Sequence, residues 1–195
     1  MIKKFLILVG LIASTSVFAQ ADNFSGLSVG LNTGIESNFT RVTDSEFNIG
    51  ATSTPFNLNT TYSFVLSPSS TFGVGFTYDL SNAVIYKGTD GDGILGANTW
   101  KLKNHYSVNF EPGYAINDNT LAYFKAAYHS AKSSLLTLSK ATNGWGYGFG
   151  SKILFDKNVY LNLEMQQIRY NNIADSDMQV YHKSTIGTIG IGYKF

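Results

Sequence analysis

From Asn23 to the C terminus, apolar and polar residues alternate with a period of two in eight separate runs. That period marks strands whose two faces meet different surroundings. The first run, 23–35, sets Leu27, Val29 and Leu31 against Ser28, Gly30 and Asn32. The second, 55–66, sets Phe56, Leu58, Tyr62 and Phe64 against Asn57, Asn59, Thr61 and Ser63. The third, 71–80, alternates Phe72, Val74, Phe76 and Tyr78 with Gly73, Gly75, Thr77 and Asp79. The fourth, 99–112, puts Trp100, Leu102, Tyr106, Val108 and Phe110 on one face and Lys101, Lys103, His105, Asn109 and Glu111 on the other. In the fifth, 120–130, Ala122, Phe124, Ala126 and Tyr128 oppose Tyr123, Lys125 and His129.

The sixth run, 143–155, carries Trp145, Tyr147, Phe149, Ile153 and Phe155 against Gly144, Gly146, Gly148, Gly150 and Lys152. A glycine series with period two and aromatics between is a strand face, not a nucleotide loop. The seventh, 159–170, opposes Val159, Leu161, Leu163 and Met165 to Tyr160, Asn162, Glu164 and Gln166. The eighth, 183–195, opposes Ile189, Ile191, Tyr193 and Phe195 to Thr188, Gly190, Gly192 and Lys194. A soluble sandwich also alternates. Here one face is apolar and aromatic throughout, while the other holds Lys, Glu, His and Asn. That division predicts strands with hydrocarbon on one side and a polar interior on the other.

The connections support the same reading. Those at 67–70, 113–119 and 156–158 are short, whereas those at 36–54, 81–98, 131–142 and 171–182 are long. Alternation of tight turns and long loops is the habit of an even-stranded barrel, with both termini on the short-turn, periplasmic side. The predicted fold is therefore all-β: an eight-stranded antiparallel transmembrane up-and-down β-barrel behind a cleavable signal peptide.

The N terminus predicts the route. Lys3 and Lys4 precede an apolar stretch, Phe5 to Ile12, and Val17-Phe18-Ala19 offers small residues around a cut after Ala19. The apolar stretch is about half of the roughly 20 residues that a spanning helix needs. The expected organisation is a signal peptide over 1–19 and one barrel domain over 20–195. The chain has 14 basic and 13 acidic residues, so loss of Lys3 and Lys4 leaves it close to neutral. No basic excess points to nucleic acid. Cysteine is absent, so there is no disulfide framework. Charged residues are 14% of the chain, well under the roughly 25% of soluble domains, and there are 14 Phe and 12 Tyr.

With those residues identified, the chain resembles the small eight-stranded outer-membrane barrels of the OmpA-like transmembrane and opacity-protein class. The likeness is strongest over Glu111-Pro112-Gly113-Tyr114-Ala115-Ile116-Asn117-Asp118-Asn119 and the following Tyr123-Phe124-Lys125-Ala126-Ala127-Tyr128. Tyr193 and Phe195 are similar to the C-terminal signal read by the barrel assembly machinery. The resemblance implies an outer-membrane location, membrane lipid and the assembly machinery as partners, and a monomer. Its members differ in activity, so it implies architecture more than function. Many OmpA-type proteins carry a peptidoglycan-binding domain after the barrel; with Phe195 as the last residue here, that anchoring role is not expected.

The expected interior polar set is Asp79, Lys101, Lys103, His105, Glu111, Lys125, Lys152, Glu164 and Arg169. Eight strands enclose only enough room for side chains. An ion-paired plug is the first reading of this set, and a narrow ion path lined by the lysines is the alternative. His182-Lys183-Ser184 has the H-x-S spacing of outer-membrane lipid A deacylases, with Ser as nucleophile and His as base. Thr185 stands where that family has Asn, and no acid follows to orient the His. His129-Ser130 lacks the spacing. Asp90-Gly91-Asp92-Gly93 starts like a calcium loop, but Ile94 falls on a ligand position. Asn38 and Asn59 head glycosylation sequons, which carry little weight in a bacterial barrel. No cofactor is expected. The favoured function is structural or adhesin-like, without catalysis, through loops with exposed Phe39, Phe47, Ile85, Tyr86, Ile94 and Leu95 and an unidentified surface ligand.

Overall fold

The computed structural model describes residues 20–42, 48–88, 98–135, 138–171 and 180–195. A short 3-10 turn, Ala21–Phe24, leads into ten strands: β1 Gly26–Val42, β2 Asn48–Ser53, β3 Phe56–Ser67, β4 Ser70–Asp79, β5 Ala83–Lys87, β6 Thr99–Asn117, β7 Thr120–Leu135, β8 Leu138–Leu154, β9 Val159–Tyr170 and β10 Val180–Lys194. The ladders are all antiparallel, and β10 pairs with β1 from Ser28↔Lys194 to Val42↔Val180, which closes the sheet. The β10–β1 ladder joins the first strand to the last, as crossing a membrane by strands requires. The short β2 and β5 have ladders only to β1 and β6 among the described residues.

Ten strands make eight staves. The outer half of β1 pairs with β2 and its inner half with β3. The two short strands are thus one stave, interrupted at Thr54-Pro55. Proline has no N–H to give a ladder. β6 likewise pairs with β4 and then β5, which are separated by Leu80–Asn82. The two interruptions are joined to each other. Leu80 N–H donates to Phe56 O at 2.7 Å, and Phe56 N–H donates to Ser81 Oγ at 2.8 Å. Ser81 Oγ in turn donates to Thr54 O at 3.4 Å. The expected eight-stranded barrel is present.

Several expected loops are instead ladder. The β7–β8 pairing runs without a shift from Thr120↔Ile153 to Leu135↔Leu138, through most of 131–142. Most of 36–54 lies in β1 and β2. Their Ser, Thr and Asn residues read as loop composition. Backbone groups in a growing ladder are nonetheless satisfied by the neighbouring strand, whatever the side chain.

Alternation holds on most strands, and large apolar side chains such as Phe64, Phe149, Phe155 and Ile191 are more than half exposed on the outer surface. It fails at the turn end of β3, where Phe64, Val65 and Leu66 are all exposed, and in the middle of β6. Asn104 has φ 51°, and the ladder to β7 shifts between Lys103 and Tyr106. Asn is one of the few residues that accept a left-handed backbone. The extra residue swaps the faces. Leu102 and His105 are therefore both buried, whereas Lys103 is exposed and Lys101 half-buried. Placing Lys101 and Lys103 in the interior is corrected here. Arg169 is corrected too: β9 has no break, so Ile168 and Tyr170 point inward and Arg169 is exposed.

The interior has three tiers. At the end with the termini, Phe24 packs with Ala115, Leu121, Leu154 and Tyr160. A polar middle follows. Toward the far end, Ile85, Leu102, Ala131, Ile168, Tyr170 and Ile186 form a second apolar cluster, beside the buried polar residues Glu36, Asn38, Thr40, His182 and Ser184. The expectation that Ile85 is an exposed loop residue is overturned, since it is 1% exposed. Phe39 is exposed and Tyr86 half-buried, while Phe47, Ile94 and Leu95 lie outside the described residues.

Candidate functional site

The polar middle begins with four charged residues from successive staves: Glu111 on β6, Lys125 on β7, Lys152 on β8 and Glu164 on β9. Lys152 Nζ lies 2.9 Å from Glu111 Oε2. Lys125 Nζ lies 2.9 Å from Glu164 Oε2 and 3.7 Å from Glu111 Oε1. The set is neutral, and a buried charge costs several kcal/mol unless a partner meets it. The Tyr123 hydroxyl, 2.8 Å from Glu164 Oε2 and 2.9 Å from Asn162 Oδ1, extends the set sideways. Asn162 donates to Asn32 at 3.4 Å, and Asn32 to Asn57 at 2.9 Å. Glycine makes the space: a Cβ at Gly150 would strike the Tyr123 ring.

Above this set lies a histidine pair. His105 Nδ1 is 2.6 Å from Asp79 Oδ2, His105 Nε2 is 2.9 Å from His129 Nδ1, and His129 Nε2 is 3.1 Å from the Gln166 amide nitrogen. One set of tautomers satisfies the whole chain: Gln166 donates to His129, His129 to His105, and His105 to Asp79. Both rings are buried, so the chain locks the barrel from within. Between the two networks is a cavity of about 20 Å³, touching Asp79, His105, Lys125, His129, Glu164 and Gln166. That is room for about one water.

His182 and Ser184 also point inward, with 4% and 0% exposure. His182 Nδ1 sits 2.8 Å from Thr40 Oγ1, and its Nε2 is 3.3 Å from Ser184 Oγ. Ser184 donates to Asn38 Oδ1 rather than to His182. A lipid-cleaving pair must face its substrate, carry the serine proton toward the imidazole and orient that ring with an acid. This pair has an inward position, an amide acceptor and a threonine. The sequon residues Asn38 and Asn59 are buried as well, at 2% and 6%. Asp90-Gly91-Asp92-Gly93 and Ala19 lie outside the described residues. Tyr193 and Phe195 stand on the outer surface with ring centroids 5.0 Å apart, and Phe195 N–H donates to Leu27 O at 2.9 Å.

The interior arrangement thus brings together Asp79, His105, Glu111, Lys125, Lys152 and Glu164, and leaves out Lys101, Lys103 and Arg169. The apolar plugs at the two ends were not foreseen. Phe24 lies in the first run but folds into the 3-10 turn ahead of β1, and Leu102 and Ile85 sit beside breaks in register.

A family model for the outer membrane protein beta-barrel domain matches residues 5–195. The chain belongs to this family. It is an outer-membrane β-barrel protein. Three solved structures resemble it in fold. Neisserial surface protein A (NspA) is 15% identical with TM-score 0.52, the match covering 88% of this chain and 98% of that one. Ail, the attachment invasion locus protein of Yersinia pestis, solved with the heparin analogue sucrose octasulfate, is 15% identical with TM-score 0.51, covering 87% and 99%. OprG of Pseudomonas aeruginosa is 12% identical with TM-score 0.51, covering 92% and 99%. No curated protein matches the chain by sequence.

Proposed function

We propose that this protein is a monomeric, plugged outer-membrane barrel that acts through the ends of its long hairpins, in a structural or adhesin-like role, and not through its lumen. The observation that carries this reading is the interior. Two apolar clusters flank a charge set in which each lysine meets a carboxylate, and the intervening cavity is about 20 Å³. A continuous water path needs polar lining from end to end. The lysines once expected to line one, Lys101 and Lys103, are on the other face of β6. We place the termini toward the periplasm, with signal cleavage after Ala19 and insertion guided by Tyr193 and Phe195. The far-end hairpins β1–β2 and β7–β8 then rise from the cell surface.

Single-channel recording of the protein inserted in a planar bilayer tests the closed interior. Protein shown to be inserted gives no steady current on this reading. A steady, salt-dependent current would return the pore reading to first place. A second test shortens the β7–β8 hairpin by joining Ala131 to Thr142 through a tight turn. Surface attachment falls while insertion persists; unchanged attachment would remove this hairpin from the recognition surface.

A further inference from the structure

On the outer face of β9 and β10, Arg169 and Lys183 are direct cross-strand partners, and both are exposed. Like charges placed opposite each other destabilise a sheet. Neither residue forms an ion pair among the described residues. Aromatic rings close the row on each side: Trp145 on β8 is the partner of Arg169, and Phe39 on β1 is the partner of Lys183. Asp175 and Asp177, in the connection between the two strands, lie outside the described residues.

A second feature lies on the same face, toward the end with the termini. A groove of about 760 Å³ opens on the outer surface across β8, β9, β10 and β1. Its size falls among small-molecule sites, which span roughly 300–1,000 Å³. Ile35, Phe149, Met165 and Ile189 wall it, and Gly187, with no atom within 4 Å of where its Cβ would stand, leaves its floor low. Gly187 pairs with Met165, four residues along each strand from the cation pair. At about 3.3 Å per residue this is roughly 13 Å. The groove's lining ends at Ser37 and Thr185, two positions short of Lys183 along β10. An apolar groove thus lies below two cations that have no ion pair among the described residues, an order that matches the acyl chain and anionic head of a lipid.

We propose that this face holds one phosphorylated membrane lipid, with its phosphate monoester between Arg169 and Lys183 and an acyl chain in the groove. A phosphate monoester carries about −1.5 to −2 charges near neutral pH, which matches two cations. The arginine fork takes two phosphate oxygens and the lysine supplies a point charge. The ligand relieves the repulsion that the empty pair would keep. A soluble anion would satisfy the cations and leave the groove unused.

The test uses the full chain, extracted from outer membranes in mild detergent, with binding read by native mass spectrometry. The probes are diphosphoryl lipid A, enzymatically dephosphorylated lipid A, inorganic phosphate and a heparin-type oligosaccharide. Lipid A is expected to bind at least tenfold tighter than its dephosphorylated form. Neither soluble anion should displace it at equal concentration. Arg169→Glu with Lys183→Glu should cost at least tenfold. Gly187→Phe should also weaken lipid A binding, because no atom lies within 4 Å of the position its Cβ would take and the ring enters the groove. Equal binding of the dephosphorylated lipid, an unaffected double variant or an unaffected Gly187→Phe would each overturn the proposal. Displacement by inorganic phosphate would reduce the site to a bare anion site, and displacement by the oligosaccharide would assign it to a glycan; both overturn it. Folding of each variant is checked by its heat-dependent gel shift. Should the double variant not fold, the ratio between the two lipid A forms on the unmodified protein still decides.

Discussion

Inside the barrel, Lys125 and Lys152 each meet a carboxylate within 3 Å. On the far rim, Arg169 faces Lys183 and Lys103 faces Lys132 across adjacent strands. The contrast follows from the surroundings. In the packed interior a lone charge loses its hydration and gains nothing, so pairing is compulsory. At the rim, water and lipid headgroups screen the repulsion, so like charges can stand opposite each other at small cost. The interior charges hold the fold together, whereas the rim charges remain available to partners from outside.

This contrast sets an order of effects. Glu111 serves both lysines, so Glu111→Gln leaves Lys152 without a carboxylate partner. We expect a loss of about 3–5 kcal/mol, read from the urea midpoint of the barrel folded into vesicles. A change below about 1 kcal/mol would mean that water reaches the set and that the interior is not closed. Next comes the far apolar cluster. Leu102→Ala should cost about 2–5 kcal/mol through lost contacts and a cavity. The planar-bilayer current should stay absent, because the polar networks still fill the middle. Appearance of a current would make the far plug the sole seal.

The seam between the two broken staves is a smaller matter. Ser81→Ala removes the hydroxyl that Phe56 N–H donates to, for about 1 kcal/mol. Faster amide exchange at Phe56 would accompany it; unchanged exchange would show that another acceptor takes over. The smallest effect belongs to the rim. Lys103→Glu replaces a like-charge pair by an opposite one, with a gain of about 0.2–1 kcal/mol. The gain should shrink as salt rises. A loss would indicate that Lys103 already serves an anionic partner.

Most of the barrel is legible in the chain because the two faces differ so sharply. Eight-residue alternations such as Phe72 to Asp79 allow one register in a membrane, and a slip would put Asp79 in lipid. The interior carboxylates and lysines follow from the same pattern. What alternation conceals is a single inserted residue. Asn104 was the only local sign of it, and Asn in a strand is weak evidence by itself. Arg169 required only that the period be carried through β9 without interruption. The hairpin extensions were hidden by their Ser and Thr content.

By itself, then, the sequence determined a closed all-β barrel with most aromatic residues outward and Asp79, His105, Glu111, Lys125, Lys152 and Glu164 inward. A side-chain period of two, repeated over eight runs, leaves few other solutions. Only the tertiary structure decided which charges meet. Glu111 and Lys152 are 41 positions apart in the chain, and their 2.9 Å contact depends on the curvature that brings two non-adjacent staves together across the lumen. It also decided that Phe24 and Leu102 close the ends, and that two cations stand above an apolar groove on the outside. Those relations run across staves, where spacing along the chain carries no information.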